Sequence, residues 1–139
     1  MAASDPVVTE VTLRYSDMDA LGHLNNAVYA TLFEAGRVAY VDGVLQEVTP
    51  AGLGYVIVKL TIEFKAEAHY PGVARIETSV VRLGGSSMTF AQTIAIGGRI
   101  VATAESVCCL FDLTKRKAAR FADPLRQQIA KRGSLHSAG

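Results

Sequence analysis

The sequence contains no tryptophan, two cysteines, three histidines and only 19% charged residues, with a formal net charge of +1 over 139 residues. It also has no apolar run of about 18 residues, the length that a membrane-spanning helix requires. The near-zero net charge argues against a nucleic-acid-binding surface, and the 50% apolar content argues against a disordered chain. We therefore expect neither a membrane nor a nucleic acid as a partner.

The chain length suits one domain with its own hydrophobic core. The N-terminal residues 1–6 lack the basic and apolar regions of a signal peptide, so we expect a cytoplasmic protein. The adjacent Cys108 and Cys109 would point to opposite faces of a strand, which predicts two free thiols. The three histidines are scattered and no CxxC pair occurs, so the spacing predicts no metal site.

Period-two alternation of apolar and polar residues predicts five strands. The clearest alternation places Val56, Val58, Leu60, Ile62 and Phe64 on one face. Ala102, Ala104, Ser106 and Cys108 form a row of small side chains where a buried helix could cross the last strand. The predicted strands cover residues 7–15, 56–64, 73–83, 88–96 and 99–112.

Helical spacing of apolar residues predicts one long, largely buried helix over residues 26–42, with Asn25 as its N-cap and Gly43 as its C-terminal stop. A short helix is expected at about 123–131, after a basic turn, and a disordered tail at 133–139. One helix lying across a mostly antiparallel sheet is an α+β fold.

A polar loop joins the first strand to the long helix. Its two carboxylates lie just before the N-terminus of the predicted helix, where unpaired backbone N–H groups favour negative charge. Its motif is Asp17-x-Asp19-x-x-Gly22-His23-x-Asn25-Asn26-x-x-Tyr29, followed on the helix by Phe33-Glu34-x-x-Arg37.

Over about residues 7–121, this pattern resembles the hotdog-fold acyl-CoA thioesterases of the 4-hydroxybenzoyl-CoA thioesterase type. The resemblance implies an antiparallel sheet wrapped around one long central helix, with residues 1–139 as a single hotdog thioesterase domain. It further implies a homodimer or homotetramer whose sheets join edge to edge, acyl-CoA sites at the dimer interface, and no cofactor.

The resemblance makes Asp19 the catalytic carboxylate, acting as nucleophile or as general base, with the thioester oxygen held where the helix begins, near Asn25 and Asn26. His23 could line the pocket or be a structural histidine of a tight turn. Asp17 is interpreted as structural, paired with Arg14. The candidate catalytic residues are Asp19, Asn26 and His23, and the candidate substrate-binding residues are Asn25, Gly22, Tyr29, Lys115, Arg116 and Lys117.

The three cations of that last group could bind the phosphates of a nucleotide, or they could form an ordinary solvated turn. The expected reaction converts an acyl thioester to free acid and CoA, with an acyl-carrier-protein thioester as a further possible substrate. Two alternatives stay open: a non-catalytic acyl-thioester-binding protein, and a hotdog hydratase or dehydratase. Hotdog hydratases and dehydratases use Gly-Asp-x-Asn-Pro-x-His or Gly-His-Phe-Pro motifs, which this loop lacks.

Overall fold

The computed structural model describes residues 5–132 and, through their backbone, 136–137. Within these residues the chain forms five long or medium strands, two very short strands, two α-helices and three short 3-10 or π-helical turns. The strands are Val7–Thr12 (β1), Leu53–Phe64 (β2), Val73–Leu83 (β3), Ser87–Ile96 (β4), Arg99–Asp112 (β5), Lys117–Ala118 (β6) and His136–Ser137 (β7), and the helices are Asn26–Tyr40 (α1) and Asp123–Ala130 (α2).

The sheet has the strand order β1-β3-β4-β5-β2, and each neighbouring pair in this order is antiparallel. Gly97 and Gly98 both have positive φ, which is the backbone that a tight two-residue hairpin between β4 and β5 requires. The sheet curls around α1, so the predicted α+β hotdog architecture is confirmed.

The C-terminal tail differs from the prediction at the two positions that the structure describes. His136 and Ser137 form β7, which pairs in parallel with Arg82 and Leu83 of β3. The other residues of the predicted disordered tail lie outside the described residues. No helix among the described residues is long and apolar enough to cross a membrane.

Helix α1 approaches the sheet most closely at Gly36. A Cβ atom there would lie 2.5 Å from Thr78 Oγ1 and 2.6 Å from Ile76 Cγ2, so any larger residue would push α1 away from β3. Gln92 of β4 fixes the same crossing, because its Nε2 donates to Phe33 O at 2.8 Å and to Thr78 Oγ1 at 2.9 Å. The predicted row of small residues on β5 is buried, yet the tightest contact is made to β3 and β4.

The C-terminal end of α1 differs from the sequence prediction. The α-helix ends at Tyr40, and a π-helical turn, Val41–Leu45, and a 3-10 turn, Gln46–Val48, continue it. Gly43 lies inside the π-helical turn and does not take the left-handed conformation of a helix stop. The prediction was wrong here because Val44 and Leu45 are buried, and their packing keeps the chain helical past the glycine.

Strand β2 contains a bulge, and the positions that face the core change from odd to even residue numbers across it. The pairing of β2 with β5 shifts register between Ile57 and Lys59. Before the bulge, Leu53 and Tyr55 face the core, and after it Leu60 and Ile62 do so. The predicted single face is therefore interrupted, and Val58 itself is 63% exposed.

Candidate functional site

Backbone hydrogen bonds hold the polar loop between β1 and α1 to the segment between β2 and β3. Leu13 N donates to Gly72 O at 2.9 Å, and Leu24 N donates to Ala68 O at 2.8 Å. Within the loop, Asn25 N donates to Asp17 O at 2.9 Å. These bonds join the loop to the segment that follows β2, so both segments border the same surface.

Asp17 is buried and paired with Arg14, as the sequence predicted. Its Oδ1 accepts from Arg14 Nη2 at 2.8 Å, and its Oδ2 accepts from the Arg14 backbone N–H at 2.8 Å. The hydrogen bond from the guanidinium lowers the pKa of Asp17 below its ordinary value. Both carboxylate oxygens are thus engaged within the loop.

Asp19 is exposed and anchored through only one of its oxygens. Its Oδ1 accepts from Leu21 N at 2.8 Å and from His23 N at 3.0 Å. The His23 backbone N–H is the main cause that lowers the pKa of Asp19, and the Leu21 N–H adds to it. No protein donor in residues 5–132 bonds to Oδ2, so an ionised carboxylate presents one free oxygen at neutral pH.

The start of α1 lies beside this carboxylate. Asn25 is the N-cap, as predicted, because its side-chain oxygen accepts from Ala27 N at 2.9 Å. The Asn26 backbone N–H has no acceptor within residues 5–132. An unpaired N–H at the positive end of a 15-residue helix can stabilise an oxyanion.

A cleft of about 330 Å³ brings four of the candidate residues together. Asp19, His23, Asn26 and Tyr29 all line it. Tyr29 is buried and meets the ring of Phe64 edge to face at 5.0 Å, so one wall of the cleft is apolar. Gly22 has a positive φ of 80° and borders, with Asp19, a second cleft of about 300 Å³.

Two residues that the sequence analysis did not select, Glu67 and His69, lie beside His23. The Nε2 atoms of His23 and His69 are each 3.6 Å from a different oxygen of Glu67. The histidine spacing predicted no metal site, yet potential ligand atoms of these three residues lie within 4.8 Å of one another. Proximity between residues 23 and 69 comes from the bond between Leu24 and Ala68, for which the sequence carries no local signal.

The basic turn lies far from Asp19 within one chain. Lys115, Arg116 and Lys117 are exposed and follow Asp112, whose partner on β2 is Leu53. The Asp19 cleft borders the opposite end of β2, where Phe64 pairs with Ala102. Ala102 and Asp112 are ten residue steps apart on β5, which corresponds to about 33 Å of strand.

A larger cleft, of about 570 Å³, also lies at the far end. It is bounded by the C-terminal half of α1, the segment that follows it, and the first half of β2. Its apolar walls include Val38, Val41, Ile57 and Phe90. Its volume is within the range of small-molecule binding sites, but none of the predicted site residues lines it.

Comparisons with known proteins agree with this fold. The family model described as the thioesterase-like superfamily matches residues 13–129. The sequence is similar to the long-chain acyl-CoA thioesterase FadM of Escherichia coli K12, with 26% identity over 125 residues that cover 87% of this chain and 95% of that protein.

Two solved structures share the fold. A predicted thioesterase from Bacillus stearothermophilus has a TM-score of 0.84 and 23% identity, covering 96% of this chain and 99% of that chain. The DHNA-CoA thioesterase from Staphylococcus aureus has a TM-score of 0.81 and 20% identity, covering 91% of this chain and 89% of that chain. At these identities the likeness is one of fold.

Proposed function

The chain belongs to the thioesterase-like superfamily, and from this premise we propose that it is an acyl-CoA thioesterase in which Asp19 carries the reaction. Thioester hydrolysis is the activity that the family implies, and FadM is named for the same reaction. The observation that carries the proposal is the cleft at the start of α1, where Asp19 and Asn26 face one space.

The free oxygen of Asp19 is the group that begins the reaction. It can attack the thioester carbonyl to form an acyl-aspartyl anhydride, which water then cleaves, or it can take a proton from a water that attacks directly. In both routes the carbon–sulfur bond breaks, the thiolate leaves and takes a proton, and one water is consumed. The products are the free acid and CoA.

The start of α1 supports the same step. The carbonyl oxygen gains negative charge as the nucleophile adds, and the Asn26 N–H lies at the positive end of the helix dipole. Asn25 contributes indirectly, because its cap fixes where the helix begins. His23 and Tyr29 line the cleft and are proposed to contact the acyl thioester.

We place the complete site between two subunits because β2 is an unpaired edge. Among the described residues β2 pairs with β5 alone, and its other edge is open along 12 residues. Val56, Ile57 and Val58 are 40%, 41% and 63% exposed near its middle. A long edge with exposed apolar residues pairs readily with a second strand, here β2 of a second copy.

Antiparallel pairing of two β2 strands would also bring the separated groups together. A two-fold axis near Val58 would set the Leu53 end of one β2 beside the Phe64 end of the other. The larger cleft and the basic turn of the partner subunit would then border the Asp19 cleft. Cations would face the CoA phosphates, and the partner's cleft would be available to the acyl group or to pantetheine.

Free-thiol release from a panel of short, medium, long and aromatic acyl-CoAs tests the proposal. We expect at least one class to be hydrolysed and Asp19→Asn to lower kcat by about 100- to 10,000-fold, because the free carboxylate oxygen is lost. Asp123→Asn, which changes an exposed carboxylate of α2 that lines neither the Asp19 cleft nor the larger cleft, is the matched control and should keep the parental rate.

Two results would contradict the proposal. Equal turnover by the parent and Asp19→Asn would remove Asp19 from the reaction, and tight acyl-CoA binding with no turnover would favour a non-catalytic binding protein. Loss of the enoyl absorbance of crotonyl-CoA without release of free thiol would show hydration and would favour a hydratase. If pantetheine thioesters bind as tightly as the CoA ester, the basic turn contributes little to substrate binding.

A further inference from the structure

We infer that His23, Glu67 and His69 form a binding site for a divalent transition-metal ion of the zinc class, bound by two imidazole nitrogens and one carboxylate. His23 and Glu67 also line the Asp19 cleft, so this site adjoins the proposed hydrolytic site, although the hydrolysis proposed for Asp19 uses no metal.

One ligand atom from each of the three residues lies within 4.8 Å of the other two, and both distances to Glu67 suit shared coordination. Glu67 Oε1 lies 3.6 Å from His23 Nε2, and Glu67 Oε2 lies 3.6 Å from His69 Nε2. These separations are too long for hydrogen bonds, which reach about 3.2 Å. Two ligands of a tetrahedral zinc ion, each about 2.1 Å from the metal, are about 3.4 Å apart.

The orientation of His69 leaves its Nε2 free to bind a metal. His69 Nδ1 lies 3.1 Å from the carbonyl oxygen of Gly22, which can only accept a hydrogen bond. Nδ1 therefore carries the proton, and in the neutral ring Nε2 has a lone pair directed at the Glu67 side. A bond from the second ring nitrogen to a backbone carbonyl is the usual support of a metal-binding histidine.

The backbone holds the ligands in place before any ion binds. Leu24 N donates to Ala68 O at 2.8 Å, and both residues are 3% exposed. His23 precedes Leu24, and Glu67 and His69 flank Ala68, so one buried backbone bond brings the three residues to the same surface. The rings of His23 and His69 meet edge to face, with centroids 5.2 Å apart.

The donor set and its exposure identify the kind of ion. Two imidazoles and one carboxylate suit Zn²⁺ and its first-row neighbours, whereas Ca²⁺ and Mg²⁺ prefer oxygen ligands alone. The side chains of His23, Glu67 and His69 are 36%, 68% and 55% exposed. Water can therefore complete the coordination, as in zinc sites that have three protein ligands.

Isothermal titration calorimetry with zinc chloride tests the site in the full chain. We expect about one ion per chain for the parent, and at least about 100-fold weaker binding for both His69→Ala and Glu67→Gln. Glu63→Gln is the matched control, because Glu63 has the same 68% exposure but pairs with Lys65 at 3.0 Å outside the cluster. It should bind zinc as the parent does.

Circular dichroism and thermal unfolding of the metal-free variants establish that they fold, which their exposed positions favour. Absence of saturable zinc binding by the parent, or unchanged binding by His69→Ala, would overturn the inference. Cobalt substitution gives a second readout, because a thiolate-to-cobalt charge-transfer band would assign the ion to Cys108 or Cys109 and would also overturn it. Zinc binding is measured without a substrate, so its outcome is independent of whether Asp19 hydrolyses thioesters.

Discussion

Two aspartates, the exposed Asp19 and the half-buried Asp112, hold their loops in nearly the same way. Asp19 Oδ1 accepts from Leu21 N at 2.8 Å and His23 N at 3.0 Å, and Asp112 Oδ1 accepts from Lys115 N at 2.8 Å and Thr114 N at 3.0 Å. In each case a backbone N–H is the main cause of a lowered pKa. Neither the anchoring nor the lowered pKa therefore distinguishes Asp19, the aspartate proposed to be catalytic, from Asp112.

Their surroundings do distinguish them. Asp19 borders a cleft with the start of α1, where an unpaired N–H can meet a developing negative charge. Asp112 precedes three exposed cations, which suit phosphates. The two loops lie at opposite ends of the β2–β5 pair. The Asp19 loop has the carboxylate and the helix start, and the Asp112 loop has the cations. Their complementarity is the physical reason for proposing that each complete site combines one loop from each of two subunits.

The largest expected effect comes from keeping the two loops apart. Val58→Asp puts a charge at the middle of the open β2 edge, opposite its own copy across the proposed two-fold axis. We expect a monomer by size-exclusion chromatography with light scattering, and a loss of at least about 100-fold in kcat/KM because the two halves no longer meet.

Val8→Asp is the matched control for this variant, since Val8 is 42% exposed on β1, at the opposite edge of the sheet. It should leave the oligomer and the rate unchanged. A fully active Val58→Asp monomer, or a dimer lost in Val8→Asp alone, would show that β2 is not the interface.

An intermediate effect is expected at the basic turn. Replacing Lys115, Arg116 and Lys117 together by alanine removes the cations that would pair with the CoA phosphates. We expect KM for an acyl-CoA to rise by about 10- to 100-fold, since each tenfold step corresponds to about 1.4 kcal/mol, while kcat changes little. The matching acyl-pantetheine thioester, which has no nucleotide, is the internal control, and an equal loss with both substrates would indicate a general structural defect.

The smallest effect is expected at Asp17, which contributes to stability rather than to the reaction. Asp17→Asn should lower the free energy of unfolding by about 1 kcal/mol, measured with urea, because a charge-assisted hydrogen bond to a largely exposed Arg14 is lost. The pKa of Asp17 is lowered in the folded state, so this contribution is present above the unfolded-state pKa and is lost as the pH falls below 3.8.

The paired variant Arg14→Gln completes a double-mutant cycle for this ion pair. Strictly additive effects of the two substitutions at neutral pH would mean that the pair contributes nothing to stability. A loss of kcat in Asp17→Asn similar to that in Asp19→Asn would erase the distinction drawn between the two carboxylates.

Local pattern was sufficient to predict the main elements of the fold. Alternation located β2 to β5, and Asn25 located the start of α1, because a side-chain cap and a period of two are properties of neighbouring residues. The bulge at Val58 and the helical continuation past Gly43 were missed. The bulge was missed because one inserted residue does not change the composition of a strand. The helix end was missed because a glycine does not end a helix when burial of the following residues favours a further helical turn.

The candidate site was predictable to the same extent. The motif located the Asp19 loop, because the hydrogen bonds of Asp19 join residues only two and four positions apart in the sequence. The contact of His23 with Glu67 and His69 depends on a bridge between segments more than forty residues apart, from Leu24 to Ala68, so spacing could not indicate it. The distance of the basic turn from Asp19 follows from the length of β5. The sequence predicted that length, but it did not indicate that the two loops would lie at opposite ends of the strand pair.

Complementation between two defective chains tests the two-subunit site most directly. Asp19→Asn chains and chains with the basic turn replaced by alanine are unfolded together at equal amounts, refolded and assayed at an acyl-CoA concentration below KM. In a mixed dimer, one site would receive both defects and the other would receive neither. Random pairing makes about half of the dimers mixed, so we predict that about one quarter of the parental activity returns. If the mixture shows only the average of the two separate variants, each site lies within a single chain and the account is contradicted.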